Sequence, residues 1–199
     1  MQYKVQLLKD KKLADPFILD IHYAKRKPSM SYVFGMYDND ELIGIVTYGT
    51  PPSKALLKGI AGENYMDKVI ELNRLVLKYN RKNEASYLVG QSFKMLPKPL
   101  IIVSYADTEQ NHTGIVYQAT NFIYTGLSAK RTDWRMVNSN LHSYTICQKW
   151  DSKHRNSNPD IFYKIDRPRK HRYIYYLGNK KNKKQFLKNL KYPIMDYPK

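Results

Sequence analysis

One cysteine in a chain of 199 residues rules out an intramolecular disulfide and any thiolate cluster for zinc or an iron–sulfur centre. Glycine is also scarce, at nine residues, and neither a Walker loop nor a G-x-G-x-x-G run is present, so no nucleotide signature stands. A G-x-S-x-G elbow is missing, and with it the usual serine-hydrolase geometry. The H-x-E…P-C-x-x-C pattern of zinc base deaminases is missing too. No apolar run is long enough to span a bilayer. The opening residues, Met1 to Lys12, lack the short apolar stretch and small-residue cleavage site of a secretory signal, and the cytoplasm is the expected compartment (the host's, for a phage protein). No internal repeat or Gly/Ser-rich linker divides the chain. At 42% hydrophobic and 13% aromatic residues it has the material for a folded core.

Acidic residues are the other shortage: 17 against 34 lysines and arginines, a formal net charge of +17. Such self-repulsion makes sense when a polyanion is a partner. From Asp151 to Lys199 the count is fourteen basic to four acidic residues, which makes the C-terminal quarter the expected electrostatic footprint. Arg167, Arg169, Lys170 and Arg172 are the expected phosphate contacts there, with Lys25, Arg26 and Lys27 as a second patch. Phe186, Leu187 and Leu190 mark the final lysine-rich stretch as a docked amphipathic helix rather than a free arm.

Hydrophobic periodicity predicts alternating elements. Tyr3 to Leu8 reads as a strand; Leu13, Phe17, Ile18 and Ile21 recur at helical spacing, with Pro28 as the stop. Tyr32–Tyr37 and Leu42–Tyr48 are strands joined by the turn Asp38-Asn39-Asp40-Glu41 and ended by Gly49-Thr50-Pro51-Pro52. An irregular insertion is expected from there to about Met66. A strand over Val69–Tyr79 precedes a helix over Glu84–Leu96 capped by Asn83. Leu100-Ile101-Ile102-Val103 is apolar throughout, as in a central strand covered on both faces. A short helix over Thr113–Phe122 and a strand over Ile123–Leu127 follow. This order implies an α/β fold with a mixed-direction sheet. The expected division is a catalytic domain over 1–128 and a basic, aromatic extension over 129–199 packed on it. Cys147 is read either as a nucleophilic thiol or as a partly buried residue of a strand-like Tyr144–Cys147.

Three clusters carry chemistry. The first runs from Ile21 to Pro28 and holds His22. The second is Glu71-Leu72-Asn73-Arg74-Leu75, an acid and a base inside an apolar strand. Strict alternation puts Glu71 and Arg74 on opposite faces, so a structural ion pair or a shared site needs a bulge or an outside partner. The third is Ser104-Tyr105-Ala106-Asp107, then His112, Gly114, Tyr117, Gln118, Asn121 and Tyr124, at the carboxyl edge of the apolar strand where open sheets bind ligands. Asp107 is either the cap of a turn or part of a proton-transfer or metal-binding group with Tyr105 and His112.

On these residues the sequence resembles the Mom family of phage DNA-modification proteins. The resemblance runs over roughly 3–128 and rests on Glu71–Leu75, Ser104–Asp107 and His112–Gly126, with His22-Tyr23 and Gly44–Gly49. It implies a divergent GNAT-like (acetyltransferase-like) fold with a bulge in the fourth strand. It also implies conversion of adenine in double-stranded DNA to N6-carbamoylmethyladenine, which hides phage DNA from restriction. The acyl-CoA pyrophosphate loop of that fold has no counterpart in Tyr79–Ala85, which lacks glycine. Arg81, Lys82 and the amides at the Glu84 helix start are the expected anion holders, with Asn121 and Tyr124 also near a donor that is acyl-CoA-like or glycine-derived. Asp107 is the first choice of base, Tyr105 and Tyr117 its hydrogen-bond partners, and His22, Tyr48, Glu71, Arg74 and Ser104 complete the expected site. His22, Asp107 and a phenol together suit iron. A flipped adenine needs a stacking surface, which Tyr48, Tyr124 or Trp134 offers unless these pack the core. Two other functions compete: an acyl-CoA N-acyltransferase acting on a small amine or protein, and a non-enzymatic DNA-binding anti-restriction protein. No membrane partner is expected.

Overall fold

The computed structural model describes residues 3–51 and 53–199; Pro52, in the expected end of the hairpin, lies outside them. β1 (Lys4–Leu7), β2 (Tyr32–Asp38) and β3 (Glu41–Gly49) follow the periodicity, with the Asp38–Glu41 turn closing the hairpin. The helical spacing around Leu13–Ile21 resolves into a 3-10 turn at Lys11–Ala14 and a wide π turn at Phe17–Ile21. It stops at His22, whose backbone is extended, well before Pro28. The stretch expected to be irregular holds α1 (Lys54–Ala61), started by the Ser53 hydroxyl accepting from the Leu56 amide at 3.3 Å.

β4 (Val69–Leu77), α2 (Glu84–Met95), β5 (Leu100–Asp107), α3 (Ile115–Ala119) and β6 (Ile123–Leu127) come next. Asn83 does not cap α2 through its side chain; it is left-handed, and the Glu84 carboxylate accepts from the Arg81 amide at 2.7 Å. Residues 129–199 supply β7 (Arg131–Met136), α4 (Ser143–Lys149), α5 (Ser152–Ser157), β8 (Phe162–Arg167), β9 (Lys170–Leu177) and α6 (Lys180–Asn189). Cys147 is helical and exposed, on α4, not on a strand.

The main sheet runs β1-β2-β3-β4-β5-β9-β6, so the stretch 129–199 is laid into it: β9 sits between β5 and β6. Every pairing in it is antiparallel except β4 with β5. Leu88, Phe93, Ile102, Phe122 and Tyr173 form the core on the α2 and α3 side. Ile60, Ile101, Val103, Ile174 and Phe186 form it on the α1 and α6 side. Successive residues of β5 thus point into opposite cores, which is why its sequence is apolar without alternation. Burying each such side chain is worth roughly 1.5–3 kcal/mol. Phe186 docks the lysine-rich α6, while Leu187 stays exposed.

Two irregularities position the site. Arg74 pairs with Thr47 but Leu72 pairs with Tyr48, so Asn73 is an extra residue on β4. This is the expected bulge, and it swings Glu71 and Arg74 onto one face. Second, β4 and β5 pair only over Val69–Leu72 and Ile101–Ser104. Beyond that rung they diverge, and the Ser104 hydroxyl, donating to the Leu72 carbonyl at 2.8 Å, pins the fork.

Candidate active site

The fork opens a cleft of about 1240 Å3 at the carboxyl ends of β4 and β5. A single drug-sized ligand needs roughly 300–1,000 Å3, so two reactants fit together. Six cationic side chains, Arg26, Arg74, Arg131, Arg167, Lys170 and Arg172, line it. Among the described lining residues the one carboxylate is Glu71.

Glu71 is strongly perturbed. Burial outweighs the attraction of Arg74 and Lys170 and lifts its carboxyl to about 7. A group poised there exchanges protons at neutral pH. Arg74, held by its own bonds to the Asn73 carbonyl at 2.6 Å and the Arg26 carbonyl at 2.8 Å, keeps a buried Nε–H with no partner. Burial, then the Glu71 charge, raises the Tyr105 phenol. Tyr117, packed on Phe122 and Tyr173, is pushed up to about 12, chiefly by burial. Both phenols are donors, not bases, at neutral pH.

Asp107 is placed differently from a free base. Its carboxylate meets the Lys170 ammonium at 2.7 Å, the Tyr23 hydroxyl at 3.4 Å and the Glu109 amide at 3.2 Å. It therefore caps the turn after β5 and anchors Lys170 at the cleft wall, with few lone pairs left for a substrate proton. Tyr23 also stacks on His22, ring centroids 4.4 Å apart, and meets His112 edge-on. Burial, then Arg74, His112 and Lys170, lowers His22 to about 4, so its imidazole is neutral. Its Nδ1 accepts from the Ala24 amide. Gly114 starts α3 at φ +83°, and a side chain there would strike the Tyr173 ring, so glycine lets the loop after His112 close on the cleft.

Other expected residues lie elsewhere. Tyr48 is fully buried in the core with its hydroxyl 2.6 Å from Ser92, away from the cleft. Trp134 sits on β7 under Arg155 and Lys164. Tyr124 is buried, its hydroxyl 2.8 Å from His171 Nδ1, and Asn121 borders a separate shallow groove. Arg81 pairs with Asp38 at 3.1 Å and Glu84 at 3.6 Å, and Lys82 is exposed; neither lines the cleft. The buried Glu84 carboxylate already puts negative charge at the α2 start, which is unsuited to a pyrophosphate. His22 and Asp107 do not fit a metal centre: among the described residues no group of three or more His, Cys, Asp or Glu is placed to hold one.

Of the expected phosphate contacts, Arg172 is buried, bonded to Thr125 and lying over the Tyr192 ring. Arg169 donates to the Ser128 and Leu127 carbonyls, Arg167 pairs with Asp133 at 3.7 Å, and Lys27 with Asp15 at 2.6 Å. Arg26 lines the cleft mouth, and Lys25 is exposed beside it. Sequence reasoning gave no role to Tyr23 or Arg131 and did not foresee the Lys170–Asp107 pair. Tyr23 was signalled by its place beside His22; the pair, between strands far apart in sequence, had no signal.

The Mom protein family model matches residues 3–199. The chain belongs to that family. The match takes in β7 to α6 as well as the part over which the resemblance was seen. Methylcarbamoylase mom of Escherichia phage Mu is 25% identical over 200 residues, 94% of this chain and 80% of that protein. A Bacillus subtilis acetyltransferase solved with CoA superposes with a TM-score of 0.51 at 12% identity, over 88% of this chain and 99% of that one. A probable acetyltransferase from Staphylococcus epidermidis gives 0.50 at 11% identity, over 88% and 99%. The Mom-family chain thus has the GNAT fold, a mixed sheet flanked by helices. Among the described residues no helix is long and apolar enough to cross a membrane.

Proposed function

We propose that the protein is a DNA-modifying transferase that places a carbamoylmethyl group on N6 of adenine, shielding phage DNA from restriction in the host cytoplasm. The observation that carries this reading is Glu71: among the described lining residues the one carboxylate, held near neutrality, in a cleft whose other charged lining residues are six cations. The adenine amino group is a weak nucleophile because its lone pair is delocalised into the ring. As its nitrogen bonds to the donor's methylene carbon, the bond from that carbon to the leaving group breaks and the leaving group departs with the electron pair; the nitrogen sheds a proton, which a carboxylate with Glu71's affinity is matched to receive. The unpartnered Arg74 Nε–H is available to the leaving group as it takes the electron pair. Tyr105 and Tyr117 supply further donors, and Asp107 and Ser104 hold the walls. The base reaches the cleft flipped out of the duplex, and the cleft volume admits it beside a small activated donor.

The name of the phage Mu relative, methylcarbamoylase, accords with the transferred group. An ordinary acyl-CoA transferase is the weaker reading, since the α2 start has no glycine cradle and carries the buried Glu84. DNA from cells expressing the protein, digested to nucleosides and weighed by mass spectrometry, is expected to contain a deoxyadenosine heavier by one carbamoylmethyl substituent. Unmodified nucleosides only, with soluble protein present, would refute the reading.

A further inference from the structure

β7 and β8 stand outside the main sheet as a two-stranded antiparallel ribbon. Cross-strand partners share a face, so the register divides the ribbon cleanly. One face carries Trp134 opposite Lys164 and Met136 opposite Phe162. It is covered: Arg155 lies 5.0 Å over Trp134, and Trp150 and His154 pack against Phe162. The other face carries Arg131 opposite Arg167, Asp133 opposite Ile165, and Arg135 opposite Tyr163. On that face Tyr163 is 46% and Ile165 36% exposed, and the Arg131–Arg167 end lines the cleft. Arg26, across the cleft mouth, extends the same positive surface to 3.5 Å from His142. The lone acid, Asp133, is neutralised by Arg167. Beside the half-buried Asp133 and Arg135, and with His142 of α4 near this face, Tyr163 and Ile165 stay exposed between arginines, a surface suited to a charged and structured occupant.

We infer that this ribbon enters the major groove of duplex DNA and delivers the adjoining adenine to the cleft. Two strands set ~4.8 Å apart and six residues long form a rod ~20 Å in length, and a major groove ~12 Å wide admits a two-stranded ribbon. Charge complementarity selects a polyanion. The position selects the groove, because adenine presents its N6 amino group on the major-groove edge, the side from which the cleft must take it. Arg135 and Tyr163, at the end away from the cleft, reach the neighbouring base pairs, and Arg131 and Arg167 straddle the site itself. The tie to a modifiable adenine rests on the function proposed above; the ribbon's fit to the groove does not.

The test is a methylation-protection footprint of the full chain on a duplex oligonucleotide, with binding followed by fluorescence anisotropy. Dimethyl sulfate reports guanine N7 in the major groove and adenine N3 in the minor groove. Protection of N7 beside the bound site is expected, together with a loss of about tenfold in affinity for the double variant Arg135→Gln, Tyr163→Ser, while Lys180→Gln, Lys181→Gln on α6 changes it less. Duplex RNA, whose major groove is too narrow for side chains, is expected to compete poorly. Duplex binding with N7 open and adenine N3 protected, or affinity unmoved by the ribbon substitutions, would overturn the ribbon's role and leave the DNA reading standing. No binding to duplex DNA by the unaltered protein would overturn both.

Discussion

Replacing Glu71 by glutamine is expected to make the protein more stable and less active. Glutamine keeps the shape of the protonated carboxyl and removes the charge that burial penalises. The folded chain raises this group from 4.5 to about 7, and at ~1.4 kcal/mol per unit the ionised form costs the folded state ~3 kcal/mol. Because the folded protein binds the proton more tightly than the unfolded chain, stability associated with Glu71 is fully present below 4.5 and is lost as pH rises through about 7. His22 acts in the opposite sense, since its lowered value makes stability fall as pH drops from 6.5 towards 4. The difference between wild type and Glu71→Gln isolates the carboxylate from the imidazole. Urea unfolding is the assay: the variant should gain ~3 kcal/mol at about pH 8.5 and nearly nothing at about pH 4.5. Modification should meanwhile drop by roughly 10²–10⁴-fold, and in the wild type rise with pH through about 7. A variant destabilised at every pH would show that Glu71 is a structural partner of Arg74. A stable variant with undiminished modification would remove it from the chemistry.

Asp107→Asn separates the wall from the base. Leaving Lys170 without its counter-charge is expected to cost ~1–3 kcal/mol in urea unfolding, with a smaller loss of modification than Glu71→Gln; the reverse order of activities would return the base role to Asp107. Gly114→Ala forces a left-handed residue against the Tyr173 ring and should cost ~1–3 kcal/mol, read as a lower midpoint in the same experiment. Cys147, exposed on α4, should react with a thiol reagent and leave modification unchanged.

Local signals made much of this architecture legible. The Asp38–Glu41 turn, the apolar β5 and the helix after Asn83 are short-range patterns, and the structure keeps them. The polar pair Glu71 and Arg74 in an apolar strand marked the cleft, and the bulge at Asn73 supplies what strict alternation lacked. α1 was missed although Ser53 caps it and Leu56, Leu57, Ile60 and Ala61 recur at helical spacing, because the prolines before it suggested a loop. The β-prone Tyr144–Cys147 became helix because Ile146 is buried there and α4 packs on β7, tertiary contact overriding propensity. β9 was hidden inside a basic, aromatic run. Its pairing with β5 and β6 is non-local, and so is the ion pair of Lys170 with Asp107.

The most direct measurement follows the nitrogen. Cells expressing the protein are grown on adenine labelled with 15N at the exocyclic amino position, and the modified deoxyadenosine is weighed after digestion of their DNA. If Glu71 relieves that amino group of a proton as it attacks the donor, the label stays in the modified nucleoside, and Glu71→Gln abolishes the labelled product. A modified nucleoside that has lost the label would mean the amino group is replaced rather than substituted, and would contradict the account.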